Sequence, residues 1–198
     1  MTSSLHPTAA IILAGGKSER MQKPKPFLPF DAKTTFLEHL IELYKELPVT
    51  QIVVVLNKSY HNLIPDNFLF EDITFIFNED PDLGRLHSVK LGIQTIVSAQ
   101  ATFIQNIDNP LVAKESLNLL MQHLPQEGYL IPVCDNLHGH PILISQELFP
   151  KILLSPNSKT LRDVLFTEKK YFVNVPDKGI LININTPEDY QKYFQISY

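Results

Sequence analysis

The chain has 198 residues, of which 44% are hydrophobic and 19% charged, and its formal net charge is −4. This composition is typical of a globular protein rather than a disordered one, and the length suits one domain spanning residues 1–198. A mildly acidic chain without a run of Lys or Arg argues against a nucleic-acid partner.

Apolar segments bounded by turn residues predict strands, and apolar residues at helical spacing predict helices between them. The predicted strands are 9–13, 52–56, 73–77, 102–107, 129–133, 141–145, 171–175 and 181–184. The predicted helices are 37–47, 86–97, 111–124 and 187 to about 194, the last capped by Thr186. Residues 57–72 and 155–160 are predicted to be irregular.

Strands and helices alternate over about the first 125 residues, which predicts right-handed βαβ units. The expected fold is α/β: a Rossmann-like three-layer α/β/α arrangement with a mostly parallel central sheet. The second half is denser in strands, so we expect it to add an antiparallel piece. Cys134 is the only cysteine, which excludes an internal disulfide and favours a cytoplasmic location. No apolar run of about 18 residues predicts a membrane span, and the first residues lack a signal-peptide pattern.

Two glycines, Gly15 and Gly16, directly follow the first predicted strand. Such a turn leaves backbone N–H groups free to face an anion, and Arg20 and Lys25 follow closely enough to neutralise phosphates. The segment is not a P-loop, because Ile11 stands where that motif has a further Gly, and no third Gly completes a dinucleotide fingerprint. An ordinary strand-to-helix turn is the alternative interpretation.

Polar residues also follow other predicted strands, at Asn78, Asp108 and 183–185. The carboxyl ends of parallel strands meet at one edge of a sheet, so these residues and the glycines are expected to line one cleft. A carboxylate at the end of a strand suits Mg²⁺, which takes few protein ligands and keeps several waters. The alternative is that Asp108 is an ordinary turn or cap residue.

Five segments together resemble a known family, in the family's order: 13–29, 84–92, 108–110, 139–141 and 185–189. The first resembles the signature L-A-[AG]-G-x-S-x-R-M-G-x-x-K-x-L-L-P of the MobA-like nucleotidyltransferases. The others resemble that family's G-x-x-x-S-[LV]-x-x-G, D-x-P, G-H-P and [DN]-T-P-E-D segments. The resemblance implies a GT-A-like nucleotide-diphospho-sugar transferase fold. It also implies transfer of an NMP group from an NTP, with CTP or GTP as first candidates, to a small phosphorylated acceptor with release of pyrophosphate.

The resemblance also implies roles for individual residues. Arg20 and Lys25 would hold the phosphates, Lys25 being preferred over Lys23 by the motif spacing, and Asp108 would bind Mg²⁺. The residues expected to bind the nucleotide are Leu13, Ala14, Gly15, Gly16, Ser18, Asn78 and Ser88. His140 would lie near the acceptor pocket, whereas a zinc site with His138 lacks a second pair of ligands.

Some positions depart from the family pattern. Gln22 stands where relatives usually have Gly, and Asn183 and Asn185 stand where many relatives carry D-[IV]-D, whose first Asp binds metal. The second metal ligand therefore stays open. A nucleotide-binding module with little turnover and a sugar-phosphate nucleotidyltransferase remain alternatives. A glycosyltransferase would need a D-x-D pair, for which 80–82 is the match. The base, the acceptor and the oligomeric state are left open.

Overall fold

The computed structural model describes residues 7–64 and 72–194. The strands in these ranges are β1 (Thr8–Ala14), β2 (Val49–Asn57), β3 (Ile73–Asn78), β4 (Ala101–Asn106), β5 (Tyr129–Cys134), β6 (Leu137–His138), β7 (Ile142–Ser145) and β8 (Lys170–Asn174). The helices are α1 (Phe36–Lys45), α2 (Gly84–Thr95), α3 (Lys114–Gln122), α4 (Phe149–Leu154), α5 (Leu161–Leu165) and α6 (Pro187–Tyr193). None of these helices is both long and apolar enough to cross a membrane.

All of these strands belong to one sheet, in the order β3-β2-β1-β4-β7-β5, with β6 and β8 both pairing with β5. Strands β1 to β4 are mutually parallel, whereas β7 runs antiparallel to both β4 and β5. The predicted mostly parallel sheet with an antiparallel piece in the second half is confirmed. The central strand β1 pairs with β2 and β4, so Leu13 lies opposite both Val55 and Asn106.

Strand β1 is buried along its whole length, and its side chains alternate between two hydrophobic clusters. Ala10 and Ile12 belong to the cluster that α1, α3 and α6 cover, whereas Ile11 and Leu13 belong to the cluster that α2, α4 and α5 cover. This alternation gives the three-layer α/β/α arrangement that the sequence predicts. Helix α2 approaches closely at Gly92, where an added Cβ would lie 2.6 Å from Ile11 Cγ2.

Helix α6 begins as its sequence predicts. Thr186 accepts a hydrogen bond from the Asp189 N–H, and Asp189 reciprocates by accepting from the Thr186 N–H, which forms a capping box. Tyr190 is fully buried and its hydroxyl donates to the Pro29 carbonyl at 2.8 Å. The start of α6 is therefore held against the segment that follows the first loop.

The predicted strand at 181–184 is wrong. The backbone forms a 3-10 helix at Lys178–Leu181, and the next residues pair with a loop instead of the sheet. The Ile184 N–H donates to the Asp108 carbonyl at 2.8 Å, and the Asn109 side chain donates to the Ile182 carbonyl at 2.7 Å. The apolar run reflects burial beneath that loop rather than membership of a strand.

The short helices α4 and α5 were not predicted, since neither is long enough to show a helical period in the sequence. The segment 155–160 that separates them is irregular, as predicted. The other predicted irregular segment is 57–72. Asn57 is the last residue of β2, a 3-10 helix follows at Lys58–Leu63, and residues 65–71 lie outside the described residues.

Candidate active site

A cleft of about 400 Å³ opens at the carboxyl ends of β1 and β4. The two strands pair in parallel, and the Ile107 N–H donates to the Leu13 carbonyl at 3.1 Å, so the loops that follow them leave the sheet side by side. Nine of the ten residues predicted for the site line this cleft: Leu13, Ala14, Gly15, Gly16, Ser18, Arg20, Lys25, Ser88 and Asp108. Gly16 and Asp108 therefore face one common space.

The glycine loop, residues 15–18, contains two glycines with different surroundings. At Gly15 an added Cβ would lie 2.9 Å from Ser88 Oγ, so a larger residue there would have to displace the Ser88 side chain. At Gly16 an added Cβ would meet no atom within 4 Å among the described residues. Protein atoms thus crowd Gly15 but leave open space beside Gly16 in the cleft.

Two non-glycine residues near the loop adopt left-handed backbone conformations. Ser18 has φ 55° and Gln22 has φ 60°. Glycine adopts this region without the steric cost that a Cβ brings, so Gln22 bears a cost that the Gly of the family signature would avoid. Both residues bound the 3-10 helix Glu19–Met21, and the Lys25 N–H donates to Ser18 Oγ at 3.2 Å. The turn that carries Arg20 and Lys25 is therefore closed on the glycine loop.

Two cations converge on one amide oxygen across the cleft. Asn185 Oδ1 accepts from Lys25 Nζ at 2.8 Å and from Arg20 Nη2 at 3.1 Å. Lys25 Nζ also lies 3.4 Å from Asp108 Oδ2. Lys25 is only 9% exposed, and its burial lowers the pKa of the ammonium, although the nearby Asp108 carboxylate opposes that shift. The Asn185 N–H donates to Asp189 Oδ2 at 2.9 Å, so α6 sets the position of this contact.

The oxygens of Asp108 and Asn185 suit a hard divalent cation. Both oxygens accept a hydrogen bond from Lys25 Nζ, so they lie close together and already face a positive charge. Oxygen is also the ligand atom that Mg²⁺ prefers. Asn183, by contrast, is exposed and does not line the cleft, so the second amide of the pair, not the first, lies beside Asp108. In the described ranges no group of three or more His, Cys, Asp or Glu residues could hold a metal. The donor set fits an ion that completes its shell with water and phosphate oxygens.

Asn78 does not line the cleft, unlike the other residues predicted to bind the nucleotide. It is fully buried, its Nδ2 donates to Ser88 Oγ at 3.0 Å, and its Oδ1 accepts from the Asp80 N–H at 2.9 Å. Its side chain is therefore committed to protein partners beneath the glycine loop. Contact between Asn78 and the nucleotide stays a prediction, and in this structure its side chain supports Ser88.

Other cations near the cleft differ in how they are held. Lys17 and Arg85 both line the cleft; Lys17 forms an ion pair with Asp82, and Arg85 donates to Asn106 Oδ1 at 3.3 Å. Lys23 is exposed and does not line the cleft.

The pKa of His140 is lowered by burial and, secondarily, by the positive charge of Arg85. His140 Nδ1 is buried without a hydrogen-bond partner in the part of the chain that the structure describes.

Two residues that contact the glycine loop, Asn57 and Tyr60, are not among the predicted site residues. The Tyr60 hydroxyl donates to the Gly16 carbonyl at 2.9 Å, and Asn57 Nδ2 donates to the Gly15 carbonyl at 3.4 Å. Asn57 ends β2, so the rule that selected Asn78 and Asp108 at strand ends also points to it. Tyr60 lies in the 3-10 helix that follows and carries no signal of its own in the sequence.

Comparison with known proteins agrees with this geometry. Residues 10–171 match the family described as the MobA-like NTP transferase domain. The chain is 27% identical to the molybdenum cofactor cytidylyltransferase of Escherichia coli (strain K12), over 91% of this chain and 92% of that protein. It is 29% identical to the probable molybdenum cofactor guanylyltransferase of Methanosarcina mazei, over 91% and 87% of the two chains.

Solved structures share the fold. The crystal structure of Rv0371c from Mycobacterium tuberculosis H37Rv superposes with a TM-score of 0.84 at 18% identity, covering 98% of this chain and 100% of that one. The predicted GT-A-like α/β fold and the predicted enzyme class are confirmed. The glycine loop, the cations and the family match over most of the sequence lead to one conclusion: the chain belongs to the MobA-like NTP transferase family and is a nucleotidyltransferase.

Proposed function

We propose that the protein transfers an NMP group from CTP or GTP to a small phosphorylated acceptor of the molybdopterin type and releases pyrophosphate. The convergence of the glycine loop, Lys25 and Asp108 in one cleft carries this proposal. The cleft volume of about 400 Å³ falls within the usual range of small-molecule sites. The names of the relatives, cytidylyltransferase and guanylyltransferase of the molybdenum cofactor, support both the nucleotides and the acceptor.

The reaction needs alignment and charge neutralisation more than acid–base chemistry. An oxygen of the acceptor phosphate attacks the α-phosphorus of the NTP, and the bond from that phosphorus to the oxygen bridging the β-phosphate breaks. The acceptor phosphate is already ionised, so we assign no general base. Lys25 and Arg20 hold the phosphates and stabilise the negative charge that develops on the leaving pyrophosphate.

The remaining proposed contacts to the nucleotide come from residues that line the cleft, namely Leu13, Ala14, Gly15, Gly16, Ser18 and Ser88. Asp108 and Asn185 would hold a divalent ion, Mg²⁺ in our proposal, which supplies further neutralisation of the phosphate oxygens. An amide oxygen is a neutral ligand, so Asp108 provides the negative charge of this pair.

One alternative is supported by a specific observation. Asn185, a neutral side chain, stands beside Asp108 where many relatives carry an acid. A weakened metal site would favour a nucleotide-binding module with little turnover. A glycosyltransferase with a D-x-D metal clamp at 80–82 gains no support, because Asp82 pairs with Lys17. A sugar phosphate remains a second class of acceptor.

A pyrophosphate-release assay tests the proposal. The protein is incubated with Mg²⁺ and each of CTP, GTP, ATP and UTP, together with molybdopterin, sugar phosphates or alcohol phosphates as acceptors. We expect release with CTP or GTP and a molybdopterin-type acceptor. Calorimetric binding of an NTP without release across the whole panel would support the module instead. Absence of both binding and release would contradict the proposed function.

The organisation of the chain belongs to the same proposal. We propose that residues 1–198 form a single domain, because every described strand joins one sheet. A cytoplasmic location is also proposed, and it is supported by a single cysteine, Cys134, which is free and buried. Limited proteolysis that yields two stable fragments would contradict the single-domain proposal.

A further inference from the structure

Two side chains behind the glycine loop hold its carbonyl groups. The Tyr60 hydroxyl donates to the Gly16 carbonyl at 2.9 Å, and Asn57 Nδ2 donates to the Gly15 carbonyl at 3.4 Å. We propose that Asn57 and Tyr60 are positioning residues that hold these two carbonyls and thereby aim the following N–H groups at the phosphates. The inference rests on the proposed function, because it names residues that prepare the same nucleotide site.

The geometry of the peptide group explains how a contact to a carbonyl can aim an N–H group. In a planar trans peptide the C=O and the following N–H point in opposite directions. A donor that fixes the Gly15 carbonyl therefore directs the Gly16 N–H to the other side, and a donor on the Gly16 carbonyl does the same for the Lys17 N–H. Successive N–H groups on one side of a loop form a concave site for anions.

The described part of the chain makes no use of the Gly16 and Lys17 N–H groups. Over residues 7–64 and 72–194, neither the Gly16 N–H nor the Lys17 N–H makes a hydrogen bond. Both residues are exposed and line the cleft. If the peptides turned over, the two carbonyl oxygens would face the phosphates and repel them. This repulsion explains why two separate donors, Asn57 Nδ2 and the Tyr60 hydroxyl, hold the Gly15 and Gly16 carbonyls in their observed orientation.

Both donors are themselves held in place. Tyr60 is 6% exposed, and its ring packs edge-on against Phe27 with 6.0 Å between centroids. Burial raises the pKa of Tyr60, so its hydroxyl keeps the proton that it donates. Asn57 is 4% exposed, and its Oδ1 accepts from the Ser59 N–H and hydroxyl at 3.0 and 2.9 Å. Those contacts assign the amide orientation and leave Nδ2 toward the loop.

Two substitutions remove the donors with little change of shape. Tyr60→Phe deletes the hydroxyl but keeps the ring, and Asn57→Asp keeps the acceptor for Ser59 but turns an oxygen toward the Gly15 carbonyl. We expect the Kd for NTP to rise about tenfold in Tyr60→Phe and more in Asn57→Asp, since the latter adds repulsion to the loss of a hydrogen bond. We expect kcat at saturating NTP to change less than about threefold, because the contacts prepare binding rather than the transfer step. Tyr171→Phe, an exposed tyrosine on β8, is the matched control.

Inorganic tripolyphosphate separates the effect on the loop from any effect on the base. The proposal is supported if Tyr60→Phe and Asn57→Asp lose as much affinity for tripolyphosphate as for NTP, while Tyr171→Phe binds both like the parent. Parent affinity in both Tyr60→Phe and Asn57→Asp overturns it. A fall in kcat at unchanged KM also overturns it, because that result would mean a role in the transfer step.

A measurement without any ligand distinguishes this proposal from the proposed function. In ¹⁵N relaxation of the free protein we expect rigid Gly16 and Lys17 amides, with order parameters near about 0.85, and a fall toward about 0.6 in Tyr60→Phe. If the order parameters of Gly16 and Lys17 fall in Tyr60→Phe but the parent protein binds no NTP, the positioning role stands and only the proposed function is contradicted. Unchanged order parameters in both variants would overturn the positioning role even in an active enzyme.

Discussion

Lys25 carries a positive charge at a buried position, where loss of solvent makes that charge unfavourable. The residue is 9% exposed, and burial, the largest cause, lowers the pKa of its ammonium despite the contacts to Asp108 and Asn185. A buried charge that costs free energy in the protein alone is explained if it serves a ligand. Replacement of Lys25 by Met, which has similar length and no charge, should therefore separate stability from binding.

The magnitudes decide which effect dominates. Removal of one partner from a buried ion pair can cost about 3–5 kcal/mol when the other charge is left without solvent. The Asp108 side chain is 26% exposed, so it keeps access to water. We expect the free energy of unfolding of Lys25→Met to equal that of the parent within about 1 kcal/mol, or to exceed it. A lost charge-assisted hydrogen bond of about 1.5–3 kcal/mol raises the Kd for NTP about 10- to 150-fold.

The pH dependence of stability follows from the direction of the Lys25 pKa shift. The groups that act on this ammonium are Asp108, Arg20 and Asp189, and the usual pKa of lysine is 10.5. Below the pKa of Lys25 in the folded protein, the ammonium is protonated in both the folded and the unfolded state. The folded state then bears the full cost of burying the charge. As the pH rises through that value toward 10.5, the folded state loses the proton first, so the parent gains stability relative to Lys25→Met.

Two measurements test this prediction. Urea unfolding in EDTA, from neutral pH to the usual lysine pKa, gives the free energy of unfolding, and calorimetry with CTP and GTP gives the Kd for each nucleotide. Lys23→Met is the matched control, because Lys23 is exposed and does not line the cleft. A destabilisation of Lys25→Met beyond about 3 kcal/mol would show that the ion pair stabilises the fold. Parent affinity for both nucleotides would refute the assignment of Lys25 to the phosphates.

Three further substitutions test the cleft. Asp108→Ala should reduce Mg²⁺-dependent pyrophosphate release about a hundredfold or more without a change in fold, and release at the parent rate would refute the metal assignment. Gly16→Ala should unfold like the parent, because its Cβ meets nothing within 4 Å, yet bind NTP more weakly; unchanged binding would mean that no ligand lies beside Gly16. Gly92→Ala should behave in the opposite way, since its Cβ would lie 2.6 Å from Ile11 Cγ2. We expect a loss of about 1–3 kcal/mol in stability with an unchanged Kd for NTP, and equal stability would show that α2 can shift.

The layered α/β fold could be predicted from the sequence because its signals are local. An apolar run such as that of β1 identifies a strand that is covered on both faces, and Thr186 followed by Asp189 identifies the start of α6. Parallel strands bring their carboxyl ends together, so polar residues at strand ends predicted one cleft. The glycine loop and Asp108 could be assigned to that cleft for this reason.

The direction in which each polar side chain points depends on residues that are distant in sequence. Asn78 and Asp108 both follow strands, yet Asn78 points under the loop toward Ser88 and Asp108 points into the cleft. Asn185 reaches Lys25 across 160 residues, whereas Asn183 is exposed. These choices follow from packing between elements, which a strand-end pattern does not contain.

Length, composition and local pattern were thus sufficient for the class of fold and the position of the cleft, and the resemblance of five segments indicated the family. The orientation of the glycine loop required the assembled protein, because its donors are 42 and 44 residues away along the chain: Asn57 at the end of β2 and Tyr60 in the 3-10 helix that follows. A hydrogen bond depends on distances and angles that exist only after the strands pair. The chemistry of this site therefore resides partly in side chains that no motif identifies.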